Sequence, residues 1–271
     1  MSETESIRKA GKTPVTVTSL IRDFEKIGIK PGMTILVHSS LSSLGWVCGG
    51  PVAVILALEQ VLGENGTLVM PTHSSDLTDP QYWGNPPVPE SWWEIIRAEM
   101  PAFDPDVTPT REMGVISETF RKQKDVVRST HPISSFAAWG KNREFIIQDN
   151  HWDFSQNEKS PLGRVYELDG FVLLLGVDYM NNTSFHLAEY KADYPSKKNV
   201  TNGCPILANG KRKWISVTDI LYDSDDFMNI GLDYEKNHDI NECYIGQAKS
   251  KLIPQRSLVD FAKTWMEKNR R

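Results

Sequence analysis

Cysteine is scarce in this chain. Cys48, Cys204 and Cys243 are the only three, too few for the disulfide framework of a small secreted fold. Long apolar runs are also missing: no stretch approaches the roughly 20 residues that a membrane-spanning helix needs. The start, Met1-Ser-Glu-Thr-Glu, has neither the basic residues nor the apolar core of a signal peptide, so a cytoplasmic location is expected. Positive charge is not in excess. Thirty Lys and Arg against 35 Asp and Glu leave a formal net charge of −5, which argues against nucleic acid and anionic membranes as partners. The Walker signature Gly-Lys-Ser/Thr and the zinc pattern His-Glu-x-x-His are absent, so neither a P-loop nor a bound metal is expected. No Pro/Gly/Ser-rich linker, repeat or low-complexity tract divides the 271 residues. One domain over 1–271 is expected, with 1–14 as a flexible polar tail. Association into a homo-oligomer is left open.

The most informative stretch is Phe171-Val-Leu-Leu-Leu175, an apolar run between Gly170 and Gly176. It reads as a strand buried on both faces. Turn formers from Asp178 to Asn182 end it, and Thr183 or Ser184 is placed to cap a helix. On that helix His186 and Glu189 are three residues apart and share a face. An imidazole and a carboxylate thus meet beyond the C-terminal end of a buried strand, where open α/β sheets carry their sites. The competing reading is a structural histidine near a helix start, and the paired Glu189 brings the two readings level.

Other elements follow from their patterns. Thr16 or Thr18 caps a helix ended by Gly28. Met33–His38 is a strand, Ser39–Gly45 a loop of small residues, and Val52–Leu62 a helix with Pro51 in its first turn. Thr67–Met70 is a second strand, so this strand-helix-strand unit predicts two parallel strands. A helix over 110–122, short strands at 126–128 and 134–139, and a helix from Ser160 to Leu168 come next. Asn209-Gly210 is the turn of a hairpin, 248–253 a strand, and Ser257 the cap of the last helix. The fold class is α/β, a mixed central sheet with flanking helices and an added antiparallel portion.

Two regions stand apart. Residues 76–106 hold Trp83, Trp92, Trp93, six prolines and seven acids against Arg97 alone. This insertion is too long and too aromatic for an idle connector. Residues 219–242 hold eight acids against Lys236. A small cationic amine would be drawn to such surroundings, with Asp76, Asp104 and Glu112 as candidates to hold it, although acidic runs are more often solvated surface.

The first two strands end in hydroxyl-rich loops, Ser39, Ser40, Leu41 and Ser42 on one and Pro71, Thr72 and Ser74 on the other. Side by side at helix starts they suit a phosphate-bearing ligand. Arg111 adds a guanidinium that either meets phosphate or forms a surface ion pair. His131-Pro132 reads as structural, holding a loop by hydrogen bonds.

Five ordered segments resemble the aminoglycoside N3-acetyltransferase family. They are Val37-His38-Ser39-Ser40-Leu41, Gly66-Thr67-Leu68-Val69-Met70-Pro71-Thr72, Phe103-Asp104-Pro105 with Thr108 to Gly114, Arg128-Ser129-Thr130-His131-Pro132, and Gly176 through Asn182 and His186 to Glu189. The resemblance spans about residues 15 to 265 and implies an acetyl-CoA-dependent N-acetyltransferase acting on an aminoglycoside 3-amino group. It makes the phosphate-bearing ligand coenzyme A. In such a reaction His186 would take the amine proton, Glu189 would orient the imidazole or hold the cationic acceptor, and Thr183 would donate to the oxyanion or the departing sulfur. A metabolic amine as acceptor is the runner-up. Two further readings rank below these, a metal-dependent hydrolase built on His38, His73, His186 and Glu189 and an acyl-enzyme on Cys48.

Overall fold

The computed structural model describes residues 3–10, 13–148 and 151–271. Strands β1 (Thr34–Ser39), β2 (Thr67–Pro71), β3 (Val127–Arg128), β4 (Phe136–Gly140) and β5 (Phe171–Leu175) enter the main sheet, and β6 (Asn199–Ala208) and β7 (Lys211–Ile220) form a separate ribbon. Strands β8 (Asn241–Ile245) and β9 (Ala248–Pro254) complete the main sheet. Its order is β3-β4-β2-β1-β5-β9-β8. The centre, β2-β1-β5, is parallel, and both flanks pair antiparallel. This is the mixed sheet with an added antiparallel portion read from the sequence.

Helices α1 (Glu3–Ala10), α2 (Val17–Ile27), α3 (Gly50–Leu62), α4 (Trp93–Glu99) and α5 (Gly114–Phe120) precede α6 (Arg143–Ile147) and α7 (Pro161–Glu167). Helices α8 (Ser184–Lys191), α9 (Phe227–Glu235) and α10 (Gln255–Asn269) follow. Two apolar layers cover the sheet. One joins α2, α3 and α5 to Ile35, Val37, Leu68 and Leu173. The other joins α7, α8, α9 and α10 to Leu36, Val69, Val172 and Leu174. Strand β5 alternates its residues between the two layers, so it must be apolar throughout.

Local rules account for the boundaries. Thr16 and Ser19 form a capping box at α2, and Gly28 ends that helix at φ 107°. Ser160 accepts from the Gly163 amide at the start of α7. Asn209 and Gly210 both take positive φ, as a two-residue hairpin turn requires. Four expectations need correction. Residues 3–10 of the expected tail are helical, in keeping with helix formers Glu, Arg, Lys and Ala, while 1–2 and 11–12 lie outside the described residues. The helix expected over 110–122 begins only at Gly114, because Glu112 and Gly114 adopt positive φ and break the run. Neither Thr183 nor Ser257 caps by its side chain. Helix α10 starts after Pro254, and Ser257 instead accepts from the Tyr234 hydroxyl at 2.9 Å. Strand β8 and helix α6 had no counterpart among the expected elements.

The insertion 76–106 folds into short turns and α4 against the β6–β7 ribbon. Asp79 accepts amide hydrogen from its own Asx turn and receives the Arg97 guanidinium at 2.8 and 2.9 Å. Arg212 of β7 donates to backbone oxygens of α4 and Met100. Part of the acidic charge is thus spent on internal pairing.

Candidate active site

Because β1, β2 and β5 run parallel, their C-terminal ends open on the same edge of the sheet. His38 and Ser39 at the end of β1 lie beside Leu174 and Leu175 of β5. The loops that follow nearly touch: a side chain at Gly176 would sit 2.6 Å from Ser43 Cβ, and φ there is +68°. Glycine is required on both counts.

Beyond β5 the turn is built by side chains. Asp178 accepts from the Met180 amide and Asn182 from the Ser184 amide. They aim α8 so that His186 Nδ1 meets Glu189 Oε2 at 2.6 Å. A carboxylate only accepts, so Nδ1 carries the hydrogen, and in the neutral imidazole Nε2 keeps a lone pair. Glu189 is completely buried. Its other oxygen accepts from Arg270 Nη1 at 2.6 Å and from the Asp223 amide at 3.0 Å. The imidazole packs against Tyr222 and Phe227, with ring centroids 4.6 and 5.0 Å away.

One turn before His186, Thr183 Oγ1 lies 3.4 Å from His38 Nε2. Burial, with the nearby His186 as the second cause, lowers the His38 pKa to about 3. His38 is therefore neutral near pH 7. With hydrogen on Nε2 it donates to Thr183, which frees the threonine hydrogen for another acceptor.

His38 and Thr183 also line one end of a cleft of about 920 Å³. Ser39, Ser40, Leu41, Ser42 and Pro71 line it too, as expected from the sequence, and so do Glu112 and Gly114. Ser39 Oγ is buried there without a hydrogen-bond partner. The N-terminus of α3 opens into it at Gly49 and Gly50; no side chain caps it, the Gly50 amide donates to Val47 O, and Pro51 has no N–H. Glu112 is the one charged residue of the lining, which contains no lysine or arginine. The cleft therefore offers hydroxyls and backbone N–H groups to an anion rather than paired cations.

Other expected residues lie elsewhere. Thr72 and Ser74 are buried, and both accept hydrogen bonds from Arg128. Arg111 is half exposed, with Asp76 at 3.3 Å and Glu112 at 3.7 Å. Asp104 accepts from the Asp106 amide within its own loop. Thr72, Ser74, Arg111, Asp76 and Asp104 are thus not brought into the cleft lining. His131 is a loop clamp: Nδ1 accepts from the amides of Ile133 and Ser134, and Nε2 donates to Trp152 O at 3.0 Å. Cys48 is exposed. Among the described residues no three His, Cys, Asp or Glu side chains gather as metal donors.

Sequence reasoning missed three buried groups. Arg128 sits over the Phe103 ring at 5.0 Å and donates only to neutral oxygens; burial first, then the nearby Arg121 charge, lowers its pKa to about 10. Tyr190, Tyr222, Asp219 and Ser155 share one hydroxyl-carboxylate network behind His186. Arg270 ties the end of α10 to Glu189. Only the Arg128-Ser-Thr-His131 segment carried any signal in the sequence, through its likeness to the family.

A sequence model described as aminoglycoside 3-N-acetyltransferase matches residues 36–267. The SPbeta prophage-derived aminoglycoside N(3')-acetyltransferase-like protein YokD of Bacillus subtilis (strain 168) is 46% identical over 257 residues, 94% of each chain. Its crystal structure superposes with a TM-score of 0.93 over 95% of both chains. Aminoglycoside N(3)-acetyltransferase VII of Streptomyces paromomycinus is 36% identical, covering 97% of this chain and 95% of the relative. The solved structure of AAC-IIIb binary with CoASH is 29% identical, with a TM-score of 0.84 over 94% of this chain and 97% of that one.

Proposed function

This chain belongs to the aminoglycoside 3-N-acetyltransferase family, and we propose that His186 is its general base, oriented by Glu189. The enzyme moves an acetyl group from acetyl-CoA to the 3-amino group of an aminoglycoside. The observation that carries the base assignment is the 2.6 Å contact from His186 Nδ1 to a fully buried carboxylate, one helical turn from Thr183, which lines the cleft although His186 itself does not.

Coenzyme A fits the cleft by chemistry. The Ser40 and Ser42 hydroxyls in the lining and the positive end of the α3 dipole are what would draw a pyrophosphate, with the buried, unpartnered Ser39 hydroxyl behind them. The thioester belongs at the end lined by His38 and Thr183. There His186 Nε2 takes one proton from the acceptor ammonium, and the freed amine attacks the thioester carbonyl carbon. The Thr183 hydroxyl, backed by neutral His38, donates to the oxygen as it gains charge. The carbon–sulfur bond then breaks as the amide forms. The nitrogen gives up its second proton to the departing thiolate, and the proton held by the imidazole passes to water.

Transfer is direct. Cys48 is exposed and follows the small-residue loop. Purified protein given acetyl-CoA and a panel of aminoglycosides and polyamines should release thiol with aminoglycosides, the product acetylated at nitrogen 3 by NMR. Cys48→Ala should keep this activity. Ping-pong kinetics or a trapped acetyl-cysteine would defeat direct transfer, and turnover confined to non-aminoglycoside amines would defeat the acceptor.

A further inference from the structure

The guanidinium of Arg270 is fully committed. Nε and Nη2 hold both oxygens of Asp226 at 2.8 and 2.7 Å. Nη2 also reaches Asp223 O at 2.6 Å, and Nη1 reaches Glu189 Oε1 at 2.6 Å and the Tyr194 hydroxyl at 3.2 Å. All five N–H donors therefore have acceptors. The group is 8% exposed and stacks near the Tyr194 ring, 5.1 Å from its centroid. Burial alone would lower its pKa, but the bonds to Asp226 and Glu189 outweigh it and keep it cationic.

Glu189 thus has its two oxygens on different duties. One faces the catalytic imidazole, and the other faces a fixed cation and a backbone amide. A buried carboxylate with no cation beside it would stabilise a positive charge on its only other strong partner, His186. That would make the imidazole a protonated donor instead of a free base. The charges near His186 come from several elements. Glu189 is on its own helix, His38 on β1 and His73 past β2. Tyr222 after β7 leads to Asp219 and Tyr190, and Asp223, Asp226 and Arg270 close the far side. Lys197 lies within electrostatic reach of Glu189. His38 and His73 are neutral, and Asp226 is paired bidentately, which leaves Arg270 as the cation in direct contact with Glu189.

We propose that Arg270 is a positioning residue for catalysis: it neutralises and orients Glu189 so that His186 rests as a free base. The inference relies on the general-base role of His186 and extends it to a residue 81 positions away in sequence from Glu189. Arg270 touches no substrate and acts only through the carboxylate.

The test combines kinetics with NMR titration of the His186 ring in full-length protein. Arg270→Gln should move the acid limb of kcat to higher pH by up to about one pH unit, because it removes a like charge from the neighbourhood of the imidazolium. The rate at pH 7 should fall by up to about fivefold and recover at higher pH, with KM for acetyl-CoA unchanged. The imidazole titration should move in the same direction. Arg270→Lys keeps the charge, so its limb should stay near the wild-type position even if its rate falls. Asp226→Asn removes an anion and should leave the limb in place or move it to lower pH. A lower melting temperature with wild-type limb and titration in Arg270→Gln would reduce Arg270 to a structural tie and overturn the proposal. An upward shift in Asp226→Asn equal to that of Arg270→Gln would overturn it too. If Arg270→Gln fails to fold, an upward shift in Arg270→Lys decides against the proposal and an unmoved limb supports it. His186→Ala assayed in parallel separates the two ideas. Retained activity there refutes the base assignment, whereas lost activity with an unmoved Arg270→Gln limb refutes only the positioning role.

Discussion

The donor cleft and the base pocket share one edge of the sheet but are built from opposite materials. The cleft has hydroxyls, glycines and an uncapped helix start, with no lysine or arginine in its lining. The base pocket is dense in fixed charge, with Glu189 buried between an imidazole, an amide and a five-fold committed guanidinium. The difference follows from what each must do. A diphosphate can be held by dipoles that stay solvated until it arrives. A proton acceptor must begin each cycle unprotonated, which takes charges that do not move.

Removing the base should separate the two regions most sharply. His186→Ala should lower kcat by about 10²–10⁴-fold, the usual worth of a general base, with KM for acetyl-CoA nearly unchanged in steady-state kinetics. A comparable rise in that KM would show that the regions are not distinct.

Acid should break the boundary between them. His38 and His73 titrate near 6.5 when unfolded, and burial above all lowers both to about 3 in the fold. Below pH 6.5 the unfolded chain therefore binds protons that the folded chain refuses. Stability is full above that pH and is lost as pH falls toward 3, by about 1.4 kcal/mol per pH unit for each histidine. Calorimetry between pH 7.5 and 5 should show this fall, to which the buried His131 adds, and His73→Gln should make the slope shallower. An unchanged slope in that variant would mean that His73 takes its proton in the folded state.

Salt should have the smallest effect on the donor and a larger one on the acceptor. Raising ionic strength from about 0.05 to 0.5 M shortens electrostatic reach severalfold. KM for acetyl-CoA should then change less than about twofold, while KM for a polycationic acceptor should rise. A strongly salt-sensitive donor KM would place a cation, with Arg111 the nearest candidate, against its phosphates.

What could be read from the sequence was what the chain decides locally. The β1–α3–β2 unit and the β5–turn–α8 unit each lie within about forty residues and carry their own strand, turn and cap signals, so His186 and Glu189 could be paired from their spacing alone. The serines of the donor cleft follow β1 directly and were visible for the same reason. Arg128 and Arg270 were not, because their partners lie 56 and 81 residues away. An arginine in a polar segment has no pattern that marks it as buried. Thr72 and Ser74 had the composition of a ligand loop, but their side chains turn inward to Arg128. Strand β8 was missed inside an acidic stretch, since it is an edge strand with only Ile245 fully covered.

The contact between Arg270 and Glu189 also has a meaning in time. On a ribosome α8 emerges well before α10, so the carboxylate is made long before the cation that faces it. Until the later helix docks, the earlier half of the sheet can close its donor cleft while the base remains unset. Recovery of activity during refolding should therefore lag behind recovery of coenzyme A binding, and the interval would report the docking of α10.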